Sequence, residues 1–141
     1  QPVSPLPANE PLRVLLVDDN TVNLMVANLQ LQKVWPRAQI TPCSGGPQAL
    51  RCLDAQAFDV ALIDMLMPEM DGMQLTRQIR DRFSVQTARM PILALTANTH
   101  PDERQRCLDA GMDDVLYKPM DTAELLARVS TLVRRAREQG A

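Results

Sequence analysis

Asp18, Asp19, Asp64, Thr96 and Lys118 are the residues of this chain whose types could do chemistry together. Each stands at or just past the end of a short apolar run. Three carboxylates brought close repel one another, and each is driven towards protonation unless a cation intervenes. A hard, oxygen-preferring ion resolves that conflict. Mg²⁺ takes one or two carboxylates, keeps several waters and accepts phosphate oxygens. Lys118 and the Thr96 hydroxyl are the complementary donors, and a cation and a donor facing a metal make the charge clamp that phosphoryl transfer needs. A carboxylate can be the nucleophile, forming an aspartyl phosphate. Asp64 suits that part, being the single acid at the end of Val60-Ala61-Leu62-Ile63-Asp64, followed by the loop Met65 to Gly72. The Asp18–Asp19 pair suits metal holding better.

Strands must bring these residues together. Leu12 to Val17, Gln39 to Cys43, Val60 to Asp64, Pro91 to Leu95 and Asp114 to Tyr117 are short apolar or β-branched runs bounded by turn signals. Between them lie helical stretches. Thr21 to about Lys33 has Val22, Met25, Val26 and Leu29 at helical spacing, closed by Trp35-Pro36. Ser44-Gly45-Gly46-Pro47 opens a second helix with Ala49, Leu50 and Leu53. Gly72 to about Arg82 carries Leu75, Thr76 and Ile79 on one face, with basic residues towards its end. Phe83 to Arg89 reads as a connection. Pro101-Asp102-Glu103 starts a fourth helix, which Gly111 stops. Asp121 caps a last helix with Leu125, Leu126, Val129, Leu132 and Val133 on its core face. Strands alternating with helices imply parallel pairing through right-handed crossovers, hence a five-stranded sheet covered on both faces. Parallel strands put their C-terminal ends on one edge, so the five chemical side chains share a crevice.

The chain has 141 residues and a net charge of −2, which suits one domain and gives no case for nucleic-acid binding. Four prolines in residues 1–11 suggest a semi-extended linker, and residues 136–141 read as a frayed tail beyond a domain at 12–135. Cys43, Cys52 and Cys107 form no CxxC pattern and read as reduced, partly buried thiols of an intracellular protein. No apolar run approaches the ~20 residues of a membrane span.

Blander readings compete. An acid after a strand is often just the cap of the next helix, and Asp18 or Asp19 could cap the helix at Thr21. Lys118 alone reads as a surface lysine. His100, the only histidine, reads as a helix-start or exposed-loop residue and leaves no basis for a His-rich metal site. Gly45-Gly46 fits neither nucleotide-binding glycine pattern. Met65, Met67, Met70 and Met73 read as core fillers around the loop, and Arg134, Arg135 and Arg137 as a solvated helix end. An aspartyl-phosphate hydrolase would want a second acid two residues after the nucleophile, where Leu66 stands.

Val17-Asp18-Asp19-Asn20, then Asp64-Met65-Leu66-Met67-Pro68-Glu69-Met70-Asp71-Gly72, then Thr96-Ala97 and Lys118-Pro119 together resemble the receiver domain of two-component response regulators. The resemblance covers about residues 12–135. The Asp18 to Asn23 form and Gly111-Met112-Asp113-Asp114 look most like receivers fused to hybrid sensor histidine kinases.

The resemblance implies a flavodoxin-like (βα)5 doubly wound fold with strand order 2-1-3-4-5, and a domain that catalyses only its own phosphorylation and dephosphorylation. Asp64 would accept a phosphoryl group from a histidine kinase or histidine phosphotransfer domain. Asp19 would bind Mg²⁺ directly, Asp18 largely through water, and the Leu66 backbone carbonyl would be a further ligand. Lys118 would pair with Asp64 or the phosphoryl group. Thr96 would move onto a phosphoryl oxygen, switching the surface around the fourth helix and fifth strand. The family usually has an aromatic residue where Val115 stands. Tyr117, two residues on and on the same side of the strand, is expected to take part in the readout instead. Leu66 and Asn98 occupy positions that influence phosphoryl lifetime in the family. A cytoplasmic domain, with no membrane or nucleic-acid contact of its own and with weak self-association, is the matching expectation. The other class of function is an unphosphorylated interaction module on the same fold.

Overall fold

The computed structural model describes residues 4–82 and 85–140. Five strands alternate with helices: β1 Arg13–Val17, α1 Thr21–Val34, β2 Gln39–Cys43, α2 Gly46–Ala55, β3 Val60–Asp64, α3 Gly72–Arg82, α4 Val85–Ala88, β4 Ile92–Thr96, α5 Pro101–Asp109, β5 Asp114–Tyr117 and α6 Thr122–Gly140. All pairings are parallel, in the order β2-β1-β3-β4-β5. The expected sheet and strand order are therefore present. The connection after α3 contains the single turn α4.

Side-chain alternation divides the core into two layers. Leu15, Val17, Ala61, Ile63, Ile92, Ala94 and Val115 pack towards α2, α3 and α5. Val14, Leu16, Val60, Leu62, Leu93, Leu95 and Leu116 pack towards α1 and α6. Every residue of β3 and β4 is buried, as strands covered on both faces require.

Local signals set the helix ends. Asn20 caps α1, its Oδ1 accepting from the Asn23 N–H at 3.1 Å. His100 Nδ1 accepts from the Asp102 N–H at the start of α5. Gly111, at φ +108°, follows α5 in the left-handed conformation that glycine tolerates best. Asp121 caps α6 through the Glu124 N–H at 3.0 Å. Arg80 draws the turns before β4 and β5 together, donating to the carbonyls of Ala88 and Met90 and to that of Gly111.

Two features go beyond what the sequence states. The spaced residues of α1 face outward: Val22, Met25, Val26 and Leu29 are 56–70% exposed, while Ala27 and Leu31 make the buried contact. The described part of the proline-rich segment packs against the last helix. Leu6 is 4% exposed within the α1–α6 layer, and its N–H donates to the buried Ser130 Oγ at 2.9 Å. Arg134 donates to the carbonyls of Ser4 and Pro5, and Arg137 pairs with Glu10 at 3.1 Å. Prolines remove N–H donors from this segment; Arg134 takes up two of its carbonyls, and Arg137 pairs with the carboxylate of Glu10. Residues 1–3 and 141 lie outside the described part of the chain.

Leu6→Ala is expected to destabilise the protein by about 2 kcal/mol, the lower end of the range for a buried leucine, because the strap can collapse around the gap. Leu29→Ala should change stability by less than about 0.5 kcal/mol. Urea unfolding checks both; equal losses would contradict the packing described.

Candidate functional site

The alternation that divides the core also sorts the chemical side chains. Asp64 continues the Val60, Leu62 side of β3. Asp18 continues the Leu16 side of β1, and Lys118 the Leu116 side of β5. All three thus come up on the α1–α6 side of the C-terminal sheet edge. Thr96 continues the Ile92, Ala94 side of β4, and Tyr117 follows Val115. These two belong to the opposite side and are direct partners in the parallel register.

Lys118 Nζ lies 2.6 Å from Asp64 Oδ1 and 3.4 Å from Asp18 Oδ2. Asp18 and Asp64 are 3% and 6% exposed, and Asp19 is exposed. A carboxylate oxygen from each of Asp18, Asp19 and Asp64 lies within 4.8 Å of the others. Since Asn20 caps α1, neither Asp18 nor Asp19 is used as that cap. Asp18 Oδ1 instead accepts from the Asn20 N–H at 2.9 Å, which fixes its orientation.

Burial is the largest influence on Asp64 and raises its pKa above the ordinary carboxylate value. Lys118 opposes this, while the charges of Asp18 and Asp19 reinforce it. Burial pulls Lys118 down, but Asp64 and Asp18 outweigh that and raise it. The lysine is firmly charged, yet the acid it touches is still destabilised as an anion. One ammonium does not neutralise three carboxylates. The donor set is all oxygen, grouped and short of positive charge, which fits a hard divalent cation.

The loop after β3 is held close to the sheet. The Met65 N–H donates to the Leu95 carbonyl, and the Gly72 N–H to that of Met65. A Cβ on Gly72 would meet the Asp64 carbonyl oxygen at 2.7 Å, so only glycine lets α3 begin here. Met65 and Met67 are buried core fillers, whereas Leu66 is 81% exposed beside the crevice. Thr96 is buried, and its Oγ1 accepts from the Asn98 N–H at 3.1 Å. It lines a neighbouring cleft with Met65, Leu66, Ala97 and Asn98. Val115 is fully buried; Tyr117 is partly so. The structure thus joins Asp18, Asp19, Asp64 and Lys118 and sets Thr96 beside them.

Sequence reading missed the α1 stripe as a surface. Val26 lines the crevice that contains Asp18, Lys118, Pro119 and Met120, so the stripe begins at the site. Placing Leu16, Asp18, Leu62 and Asp64 on one side of the sheet gives that side its layer, and α1 needs only Ala27 and Leu31 to cover it.

Residues 14–130 match the model of the response regulator receiver domain, and the chain belongs to that family. It is 38% identical over 122 residues to the sensor protein GacS of Pseudomonas syringae pv. syringae, and 37% identical over 119 residues to the hybrid signal transduction histidine kinase L of Dictyostelium discoideum. Those alignments cover 86% and 80% of this chain but 13% and 7% of the relatives. The chain therefore corresponds to a small part of these much longer proteins. Among solved structures, the receiver domain of the sensor histidine kinase PA1611 of Pseudomonas aeruginosa PAO1 is 37% identical, with a TM-score of 0.77, covering 87% of this chain and 98% of its own. That structure has a magnesium ion coordinated in its active-site cleft. A response regulator of Chloroflexus aurantiacus superposes with a TM-score of 0.81 at 28% identity, covering 89% of this chain and all of its own.

The raised pKa of Asp64 makes a testable stability difference. Between the unfolded value near ~3.9 and the higher folded value, the folded state binds more protons, so stability falls as pH rises through that window. In metal-free buffer, Asp64→Asn should therefore gain stability relative to the wild type between acid and neutral pH. Added Mg²⁺ should close the gap by stabilising the wild type. Urea unfolding of both proteins at the two pH values, with and without Mg²⁺, checks this; parallel pH profiles would contradict it.

Proposed function

We propose that this chain is a phosphoacceptor domain of a two-component phosphorelay, with Asp64 taking the phosphoryl group from a phosphohistidine. The observation that carries this is the crowding of Asp18, Asp19 and Asp64 around the single ammonium of Lys118. Asp19 would hold Mg²⁺ directly, Asp18 largely through water, and Asp64 and the Leu66 carbonyl would complete the protein ligands. When bound, Mg²⁺ offsets charge on the carboxylates and on phosphoryl oxygens. An Asp64 oxygen attacks phosphorus while the donor imidazole leaves. Lys118 then pairs with the phosphoryl oxygens that replace the carboxylate it now touches.

Readout would begin at Thr96. On receiving a hydrogen bond from Thr96, the phosphoryl group draws its hydroxyl from Asn98. Tyr117 is the register partner of Thr96 and is only partly buried, whereas Val115 is locked in the core. Tyr117 is thus the residue that can follow the threonine, biasing the surface of α5 and β5.

The donor is a histidine kinase or histidine phosphotransfer domain whose helical surface docks on Val22, Met25, Val26 and Leu29. That apolar stripe runs from the crevice along α1, so a donor helix seated on it lies beside the sheet edge that carries Asp64.

Asp64→Asn should abolish labelling from a phosphohistidine donor, at least a hundredfold, with circular dichroism unchanged; continued labelling would overturn the assignment. Met25→Lys with Leu29→Lys should slow transfer from a phosphorylated protein donor at least tenfold. Their labelling by acetyl phosphate, which needs no docking, should stay within about twofold of wild type, and an equal loss with both donors would refute docking on α1.

A further inference from the structure

We propose that Cys43 and Cys52 are a redox-active dithiol that a peroxide-class oxidant closes into an intramolecular disulfide. Their sulfurs lie 3.4 Å apart, one at the end of β2 and the other in α2. A disulfide needs about 2.05 Å, so the sulfurs must approach by little more than 1 Å. Cys43 is fully buried, while Cys52 is partly accessible. That asymmetry divides the labour. The Cys52 thiolate attacks the peroxide, forming a sulfenic acid as the O–O bond breaks and hydroxide leaves, which becomes water by taking up the proton the thiol had released. The Cys43 sulfur then attacks the sulfenic sulfur, expelling a second water that carries its proton. Two thiols lose two electrons, and the peroxide accepts them.

Cys107 is the internal control. It is buried too, but its neighbouring sulfur, at 3.5 Å, is the thioether of Met65, which cannot form a disulfide with it. The third cysteine therefore stays outside the reaction.

Closure is felt at the acidic cluster. The Cys43 carbonyl accepts the Asp18 N–H at 3.1 Å. From the other side, α2 meets the loop after Asp64, since the Met70 Sδ would lie 2.5 Å from a Cβ placed on Gly46. Pulling Cys43 towards α2 draws on both contacts at once. The oxidised chain is expected to hold its divalent cation less well, and this coupling rests on the phosphoacceptor reading.

Treating the reduced 141-residue chain with hydrogen peroxide and digesting it with trypsin without reductant tests the chemistry. Cleavage follows Arg37, Arg51 and Arg77, so the disulfide would join peptides 38–51 and 52–77, which separate on reduction. Cys52→Ser should abolish the joined pair, and Cys107→Ser should leave it. A disulfide through Cys107, an intermolecular product, or Cys52 oxidised without cross-linking would overturn the dithiol. Calorimetric titration with Mg²⁺ then tests the coupling: affinity should fall at least threefold on oxidation, recover with dithiothreitol, and not change in peroxide-treated Cys52→Ser. Equal affinities in the two redox forms would overturn the coupling. Failure of the reduced protein to bind Mg²⁺ would count against the phosphoacceptor reading and leave the cross-linking result standing.

Discussion

The Lys118 ammonium sits against Asp64 at 2.6 Å and Asp18 at 3.4 Å, with Asp19 completing a group of three acids. A single positive charge in that position can orient the carboxylates but cannot cancel them. The imbalance appears in Asp64, whose pKa is raised by burial and by its acidic neighbours despite the lysine it touches. Such a site is poorly satisfied alone and well satisfied by a cation together with an anionic ligand. Asp64 therefore has two properties that pull in the same direction. It is buried, at 6% exposure, and it is crowded by Asp18 and Asp19, so its charged form calls for more positive charge than Lys118 supplies.

The parallel sheet makes this arrangement cheap to specify. Ending five strands at one edge gathers their last residues, and the two-residue period of a strand then chooses which of them meet. Lys118 reaches Asp64 and Asp18 because all three continue the side of the sheet that carries Leu116, Leu62 and Leu16. Thr96 and Tyr117 continue the other side, where they stand as register partners against α5. Charge is thus gathered on one side, and Thr96 with Tyr117 on the other. A shift of one residue in β5 would exchange the sides of Tyr117 and Lys118 and separate the lysine from the acids.

Much of this was legible in the sequence. The strands, the helix starts at Pro101 and Asp121 and the stop at Gly111 follow from turn chemistry and apolar runs; the strand order came with the resemblance to the receiver family, and membership of that family agrees with it. What was not legible depended on which side of an element would find a partner. Val22, Met25, Val26 and Leu29 have helical spacing, but spacing does not say whether that stripe faces the sheet. Here Ala27 and Leu31 were enough to cover it. The prolines near the N-terminus marked a segment without regular hydrogen bonding. That Arg134, Arg137 and Ser130 would hold that segment could be learned only from the fold, because the contacts span more than 120 residues of sequence. The approach of Cys43 to Cys52 has the same character, as no short motif links a strand end to the middle of the next helix.

Whether Asp64 itself becomes phosphorylated is the point on which these relations turn. Borohydride reduces an acyl phosphate to an alcohol and so converts a phosphorylated aspartate into homoserine at the position that carried it. After phosphotransfer in Mg²⁺ and borohydride trapping, peptide mapping by mass spectrometry should find homoserine at position 64 alone. Conversion at Asp18, Asp19 or Asp71, or none anywhere after demonstrated loss of the donor's phosphoryl group, would contradict the assignment of Asp64 as the nucleophile.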